Sequence, residues 1–139
     1  MNIEERVKLA YDAHHDGYNC AQSVFIAYLD VLNITKEDAM KVSYGFGGGV
    51  GLMREICGTL TGGAMILGHY YGKEAADVKH KQFINQKVSS LCKEFEDSHG
   101  SIVCGELLGL REVNKDINRK TCDELIEEVV RMLEKHIGN

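Results

Sequence analysis

From Gly45 to Tyr71 the chain reads GFGGGVGLMREICGTLTGGAMILGHYY, and the change of character within this stretch decides the fold. Residues 45–51 hold five glycines in seven positions, a composition that disfavours a helix or strand interior because glycine loses the most conformational freedom on ordering. This segment reads as a loop between two halves of the chain. From Arg54 to Tyr71 helical spacing returns: Cys57, Leu60, Ala64, Leu67 and Tyr71 recur every three or four residues, and Gly72 ends the run. Gly58 and Gly62 share one side of that helix and leave a flat strip where a second backbone can approach, from this chain or from another copy in a homodimer.

Upstream, Ile3, Val7, Ala10, Tyr11 and His14 recur at helical spacing over residues 2–15, and Gly17 follows as a stop. Asn19 stands as N-cap to an apolar run from Cys20 to Leu32. Val24, Tyr28, Val31 and Leu32 mark one face of it and Phe25 and Leu29 widen that face, so the second helix is largely buried. Thr35 and Asp38 open a third, shorter helix through Ala39, Val42 and Ser43, ending at Gly45. Downstream, Glu74 to Ser98 reads as one long helix with Ile84, Val88, Leu91 and Phe95 as its core stripe, closed by Gly100. A short turn, Cys104 to Leu108, comes next. Thr121 and Glu124 then form a capping box for a last helix carrying Leu125, Val129, Met132, Leu133 and His136 on one face. No stretch alternates with the period of two that a strand requires. The expectation is an all-α fold, one domain over residues 1–139, with five or six helices bundled around one core and the glycine-rich loop between its halves.

Composition narrows the function. Sixteen Lys and Arg against 21 Asp and Glu leave a net charge of -5, and the basic residues are scattered, so nucleic acid is not an expected partner. The most apolar stretch, Leu60 to Tyr71, is broken by Gly62, Gly63, Gly68 and His69 and falls well short of the roughly 20 residues that span a bilayer. Met1 to Arg6 is charged and has no apolar run of the kind a secretory leader needs, so a cytoplasmic protein is expected.

Five cysteines, Cys20, Cys57, Cys92, Cys104 and Cys122, are too few and odd in number for a disulfide scaffold. Four of them, Cys20, Cys57, Cys104 and Cys122, stand at the first turn of an expected helical segment. A helix start carries about half a positive charge and favours thiolate over thiol, and thiolates are what metal ligation and disulfide exchange both require. Cys92 lies within the core stripe of the long helix and reads as packing. No Cys-x-x-Cys occurs, which removes zinc ribbons and thioredoxin motifs, and without Cys-x-x-Cys-His there is no covalent haem attachment. The glycine loop breaks the G-x-G-x-x-G register at Val50 and is followed by no Gly-Lys-Ser or Gly-Lys-Thr, so no nucleotide is expected. Arg54 and Glu55 flank the loop and Cys57, where a cation either stabilises a thiolate or is simply solvated; solvation is the preferred reading. The six histidines form no His-Glu-x-x-His and read as exposed or satisfied. What the residues leave open is a site assembled in space from four helix starts.

The order of cysteines resembles that of the C_GCAxxG_C_C family of redox-active proteins, named for their cysteine pattern. Gly-Tyr-Asn-Cys-Ala-Gln at 17–22 is similar to the family's first cysteine segment. The glycine loop precedes Cys57-Gly58-Thr59-Leu60-Thr61-Gly62, which resembles the Cys-Gly-Ala-x-x-Gly core with Thr59 in place of alanine. Cys104 and Cys122 take the third and fourth positions, leaving Cys92 outside. The chain is also similar to the haem-free part of split-Soret cytochromes, and that resemblance implies a two-iron iron–sulfur centre. On this reading Cys20, Cys57, Cys104 and Cys122 ligate a [2Fe–2S] cluster, Cys57 is the central redox residue, and Gly47, Gly48, Gly49 and Gly58 lie against the cofactor. Electrons would pass to a redox partner protein. The alternatives are a thiol–disulfide protein in which two of these cysteines, Cys57 among them, cycle between dithiol and disulfide, and a zinc-bound or metal-free helical interaction module.

Overall fold

Every stretch with helical spacing forms a helix in the computed structural model, which describes residues 1–137. The elements are α1 (Ile3–His15), α2 (Cys20–Ile26), α3 (Lys36–Ser43), α4 (Gly58–Tyr71), α5 (Val78–His99), α6 (Cys104–Leu107) and α7 (Cys122–Glu134). The Cys104 turn closes into a helix of its own, which takes the number of α-helices to seven among the described residues. Two short 3₁₀ turns, Leu29–Val31 and Tyr44–Phe46, join α2 to α3 and α3 to the glycine loop. Among these residues there is no strand, only one isolated antiparallel bridge between Ile56 and Val103. No helix among them is long and apolar enough to cross a membrane.

Helix starts are set locally. Asn19 accepts a hydrogen bond from the backbone N–H of Gln22 while the Gln22 side chain accepts from Asn19, and Thr121 with Glu124 closes the same reciprocal box on α7. Such a cap contributes about 1 kcal/mol and fixes which residue follows it as the first of the helix. In both cases that residue is a cysteine. Gly100 ends α5 in the left-handed conformation, as its position after the core stripe implies.

The core lies around α2, which packs against α1, α3, α4 and α7. Val24, Phe25 and Tyr28 meet Leu60, Ile66 and Leu67 of α4, Leu91 and Phe95 of α5, and Ile126, Val129 and Leu133 of α7, all essentially without exposed surface. The flat strip of α4 receives α2 of the same chain. A Cβ at Gly62 would lie 2.7 Å from the carbonyl oxygen of Ala21 and 3.1 Å from its Cα, and one at Gly58 would lie 3.1 Å from Cys20 Cβ.

Three boundaries and one face differ from expectation. The second helix ends at Ile26 rather than Leu32, because the buried Arg6 guanidinium donates to the Ala27 carbonyl at 2.8 Å and pairs with both Asp30 oxygens. That carbonyl is drawn away from the helical ladder, the chain tightens into the 3₁₀ turn, and Val31 is left exposed. The helix expected from Arg54 begins at Gly58, since Ile56 is extended and paired with Val103. The helix expected from Glu74 begins at Val78, where Asp77 caps the His80 N–H. Along α1 the buried residues are Arg6, Ala10 and Ala13, and Tyr11 is half exposed, stacked on His15. Swinging α1 to bury Arg6 turns Tyr11 outward.

Two glycines of α4 should respond oppositely to the same substitution. Gly62→Ala forces a Cβ against the α2 backbone and should cost about 1–3 kcal/mol. Gly68→Ala meets nothing within 4 Å and should add about 0.5–1 kcal/mol by restricting the unfolded chain. Urea unfolding of both variants beside the parent chain measures the two signs.

Candidate functional site

The caps decide where the sulfurs stand. Cys20, Cys104 and Cys122 are the first residues of α2, α6 and α7, and Cys57 is the N-cap of α4, where its side chain makes no capping hydrogen bond. All four line one cavity of about 270 Å³, together with Gly48, Gly49, Gly58, Thr59, Arg54 and His14. Leu52, Leu107 and Leu125 complete an otherwise apolar wall. Cys92, on α5, lies outside the cavity, half-buried against the core. Gly47 is also apart from the lining: a Cβ there would meet the Asn19 side chain at 2.9 Å.

Three backbone contacts bring these residues together. The Gly58 strip holds Cys20 beside Cys57. The Ile56–Val103 bridge ties the segment before α4 to α6: Cys57 N–H donates to the Ile102 carbonyl at 2.9 Å and Gly105 N–H to that of Arg54 at 3.0 Å. The glycine loop closes over both, with Arg54 N–H donating to Gly48 at 3.0 Å and Glu55 N–H to Gly49 at 2.9 Å. Gly49 is buried at φ 71°, and a Cβ on it would sit 2.7 Å from Cys104 Cβ, so only glycine fits this wall. Val50 and Leu52 share the left-handed conformation at φ 67° and 64°, which costs a non-glycine residue roughly 1–2 kcal/mol. The loop is held in this shape by its own hydrogen bonds and by Arg111, which donates to the Met53 carbonyl at 2.7 Å and to Glu55 at 2.8 Å.

The polar groups of the wall act on the sulfurs. Arg54, expected to be solvated, is instead half-buried and its Nη1 donates to Cys104 Sγ at 3.8 Å. Burial pushes the Cys57 thiol up, and a 3.0 Å hydrogen bond to the fully buried Thr59 hydroxyl opposes that shift. Hydrogen bonding between Cys20 and Cys122 divides the pair: Cys20 is held protonated, reinforced by burial, and Cys122 is drawn below the ordinary thiol range. Burial opposes the Cys122 shift, and the charges of His14 and Arg54 assist it. Cys122 is therefore the first of the pair to ionise. His14 carried no local signal of this role, since it reaches the cavity through tertiary contacts, whereas Arg54 was legible as a cation next to the loop and Cys57 that either stabilises a thiolate or is solvated.

The chemistry of this donor set is that of soft sulfur. Four thiols on one wall suit thiolate ligation of a metal or dithiol oxidation. The volume lies below the roughly 300–1,000 Å³ of most organic-ligand pockets, which favours a compact group. Residues 18–136 match the family model described as "Putative redox-active protein (C_GCAxxG_C_C)". An uncharacterized protein of Archaeoglobus fulgidus is 29% identical over 137 residues, covering 93% of this chain and 91% of its own. No solved structure matches.

The Cys20–Cys122 pair predicts a labelling pattern in reduced, metal-free protein. Cys20→Ala removes the donor that holds Cys122 low, so the Cys122 pKa rises and its thiolate fraction at pH 7 falls. Iodoacetamide labelling of Cys122, followed by mass spectrometry, should slow severalfold at pH 7 and converge with the parent above about pH 9, where ordinary thiols ionise.

Proposed function

This chain belongs to the C_GCAxxG_C_C family, and on that premise we propose that it is a redox protein whose Cys20, Cys57, Cys104 and Cys122 hold a [2Fe–2S] cluster and exchange electrons with a partner protein. The observation that carries the reading is that these four thiols, and not Cys92, line one small cavity. Four cysteine thiolates are the usual complement of such a cluster. When bound, the cluster stores and releases one electron at a time.

The surrounding residues fit that task. Cys57 and Cys122 stand at the starts of α4 and α7, where the positive end of the helix dipole favours thiolate, and Arg54 adds a cation beside Cys104. To a Cys57 thiolate the Thr59 hydroxyl, 3.0 Å away, can only donate; it would withdraw charge from that sulfur, and hydrogen bonds of this kind raise a reduction potential. Leu52, Leu107 and Leu125 give the cavity apolar lining beside the sulfurs. Gly48, Gly49 and Gly58 leave room that side chains would otherwise fill.

A second reading rests on the Cys20–Cys122 pair alone. A thiol with a lowered pKa beside a protonated partner is the arrangement in which a thiolate attacks a disulfide of a partner and the neighbour resolves the mixed disulfide. That exchange leaves Cys20 and Cys122 joined by a disulfide and breaks the partner's, with two electrons passed to the partner's two sulfurs, which leave as thiolates; the one proton given up by Cys20 and one from solvent return them to thiols.

Anaerobic purification followed by a visible spectrum and iron, sulfide and zinc analysis of one sample tests these readings. Two iron and two sulfide per chain, lost in Cys57→Ser and retained in Cys92→Ala, is the expected result. The Cys92 variant should lose only ~1 kcal/mol of packing. Colourless, metal-free protein with a titratable disulfide would favour the second reading, and stoichiometric zinc would make the chain a metal-stapled helical module.

A further inference from the structure

Apart from the sulfurs, one group of metal-ligating side chains is assembled from opposite ends of the sequence. His14 and His15 close α1, and Asp123 is the second residue of α7. His14 Nδ1 and His15 Nε2 each lie 2.7 Å from a different oxygen of the Asp123 carboxylate. One donor atom from each of the three residues lies within 4.8 Å of the others. The backbones behind them are two helices packed antiparallel, since Glu4 meets Arg131 at the far end of the same pair. Tyr11 stacks on the His15 ring at 4.1 Å, and the two imidazoles stand at 89° to each other, so they reach the carboxylate from two directions.

We infer that His14, His15 and Asp123 form a second metal site, separate from the four cysteines, for a borderline divalent transition ion of the zinc class. His14 Nδ1, His15 Nε2 and a carboxylate oxygen are the protein ligands, and water completes the shell. Two imidazoles and one carboxylate with open positions are the donor set of catalytic zinc and of non-haem iron(II) sites, and they differ in softness from an all-sulfur set. A neutral imidazole presents a lone pair on one nitrogen when its proton sits on the other, so both rings can turn the required face to an ion without a change of charge. Side-chain exposures of 28% for His14, 50% for His15 and 31% for Asp123 let an ion enter and keep its waters. The Asp123 carboxylate supplies a negative charge to the site, next to Cys122 and on the rim of a cavity lined by four thiols. His14 belongs to both places, lining the thiol cavity and holding Asp123. A cation bound there lies at the mouth of the cysteine site and favours anionic sulfur inside it. None of this depends on what the cysteines hold.

Cobalt(II) added anaerobically to the protein as purified is the probe, because sulfur-bound cobalt shows intense ligand-to-metal charge transfer and nitrogen- and oxygen-bound cobalt does not. Equilibrium dialysis should show one equivalent of cobalt without sulfur charge transfer, displaced by zinc. His15→Ala and Asp123→Asn should each lose that equivalent while keeping the helical circular dichroism and the iron or zinc content of the purified parent. His15 lies outside the cavity lining and is half exposed, so its variant remains informative even where Asp123→Asn perturbs the start of α7. Equal uptake by parent and His15→Ala, or cobalt that is bound through sulfur alone, overturns the second site.

Discussion

The close approach of α2 and α4 is the constraint on which the rest of the molecule depends. Gly58 and Gly62 present bare backbone, and the Cys20–Ala21 segment of α2 rests directly on it. Side chains of ordinary size would hold the two helices further apart, since packed interiors do not compress around an added methyl group. Contact at this distance aligns the start of α2 with the start of α4 and puts Cys20 beside Cys57. The core residues Phe25, Tyr28, Leu60 and Leu67 then pack around a geometry already chosen at the glycine strip.

From that contact the site is completed by progressively longer-range pairings. The Ile56–Val103 bridge attaches Cys104 and its short helix, which has little stability of its own, to the segment before α4. The α1–α7 pair delivers Cys122 and, one residue on, Asp123 to the two histidines. The strained loop at Val50 and Leu52 spends conformational energy to lay Gly49 flat on Cys104. Strain of this kind persists only where surrounding contacts over-determine it, and it tends to gather at functional sites.

Burial and compensation compete at two of the sulfurs, Cys57 and Cys122. Desolvation alone would hold both thiols protonated and inert. The Thr59 hydroxyl at Cys57, and the Cys20 thiol with His14 and Arg54 at Cys122, work against that tendency, whereas at Cys20 burial and the bond to Cys122 act together. The Thr59 hydroxyl, 3.0 Å from Cys57 Sγ, gives that sulfur a hydrogen bond that an alanine at position 59 would lack. The charges that ease ionisation thus come from separate parts of the chain, meeting where the four helix starts converge.

Much of this was legible in the linear chain because it rests on local physics. Helical spacing, the Asn19 and Thr121 caps, the Gly100 stop and the Gly58–Gly62 strip act within four or five residues of themselves, and so they mark the helices and place cysteines at their starts. The cysteine order carried the family. Tertiary structure alone decided the rest. Arg6 ends α2 from 21 residues away, Arg54 turns inward because the loop folds back on Cys104, and His14 faces Asp123 across 109 residues of chain. Each of these is a polar group whose partner is fixed only when helices dock, and no periodicity encodes such a pairing.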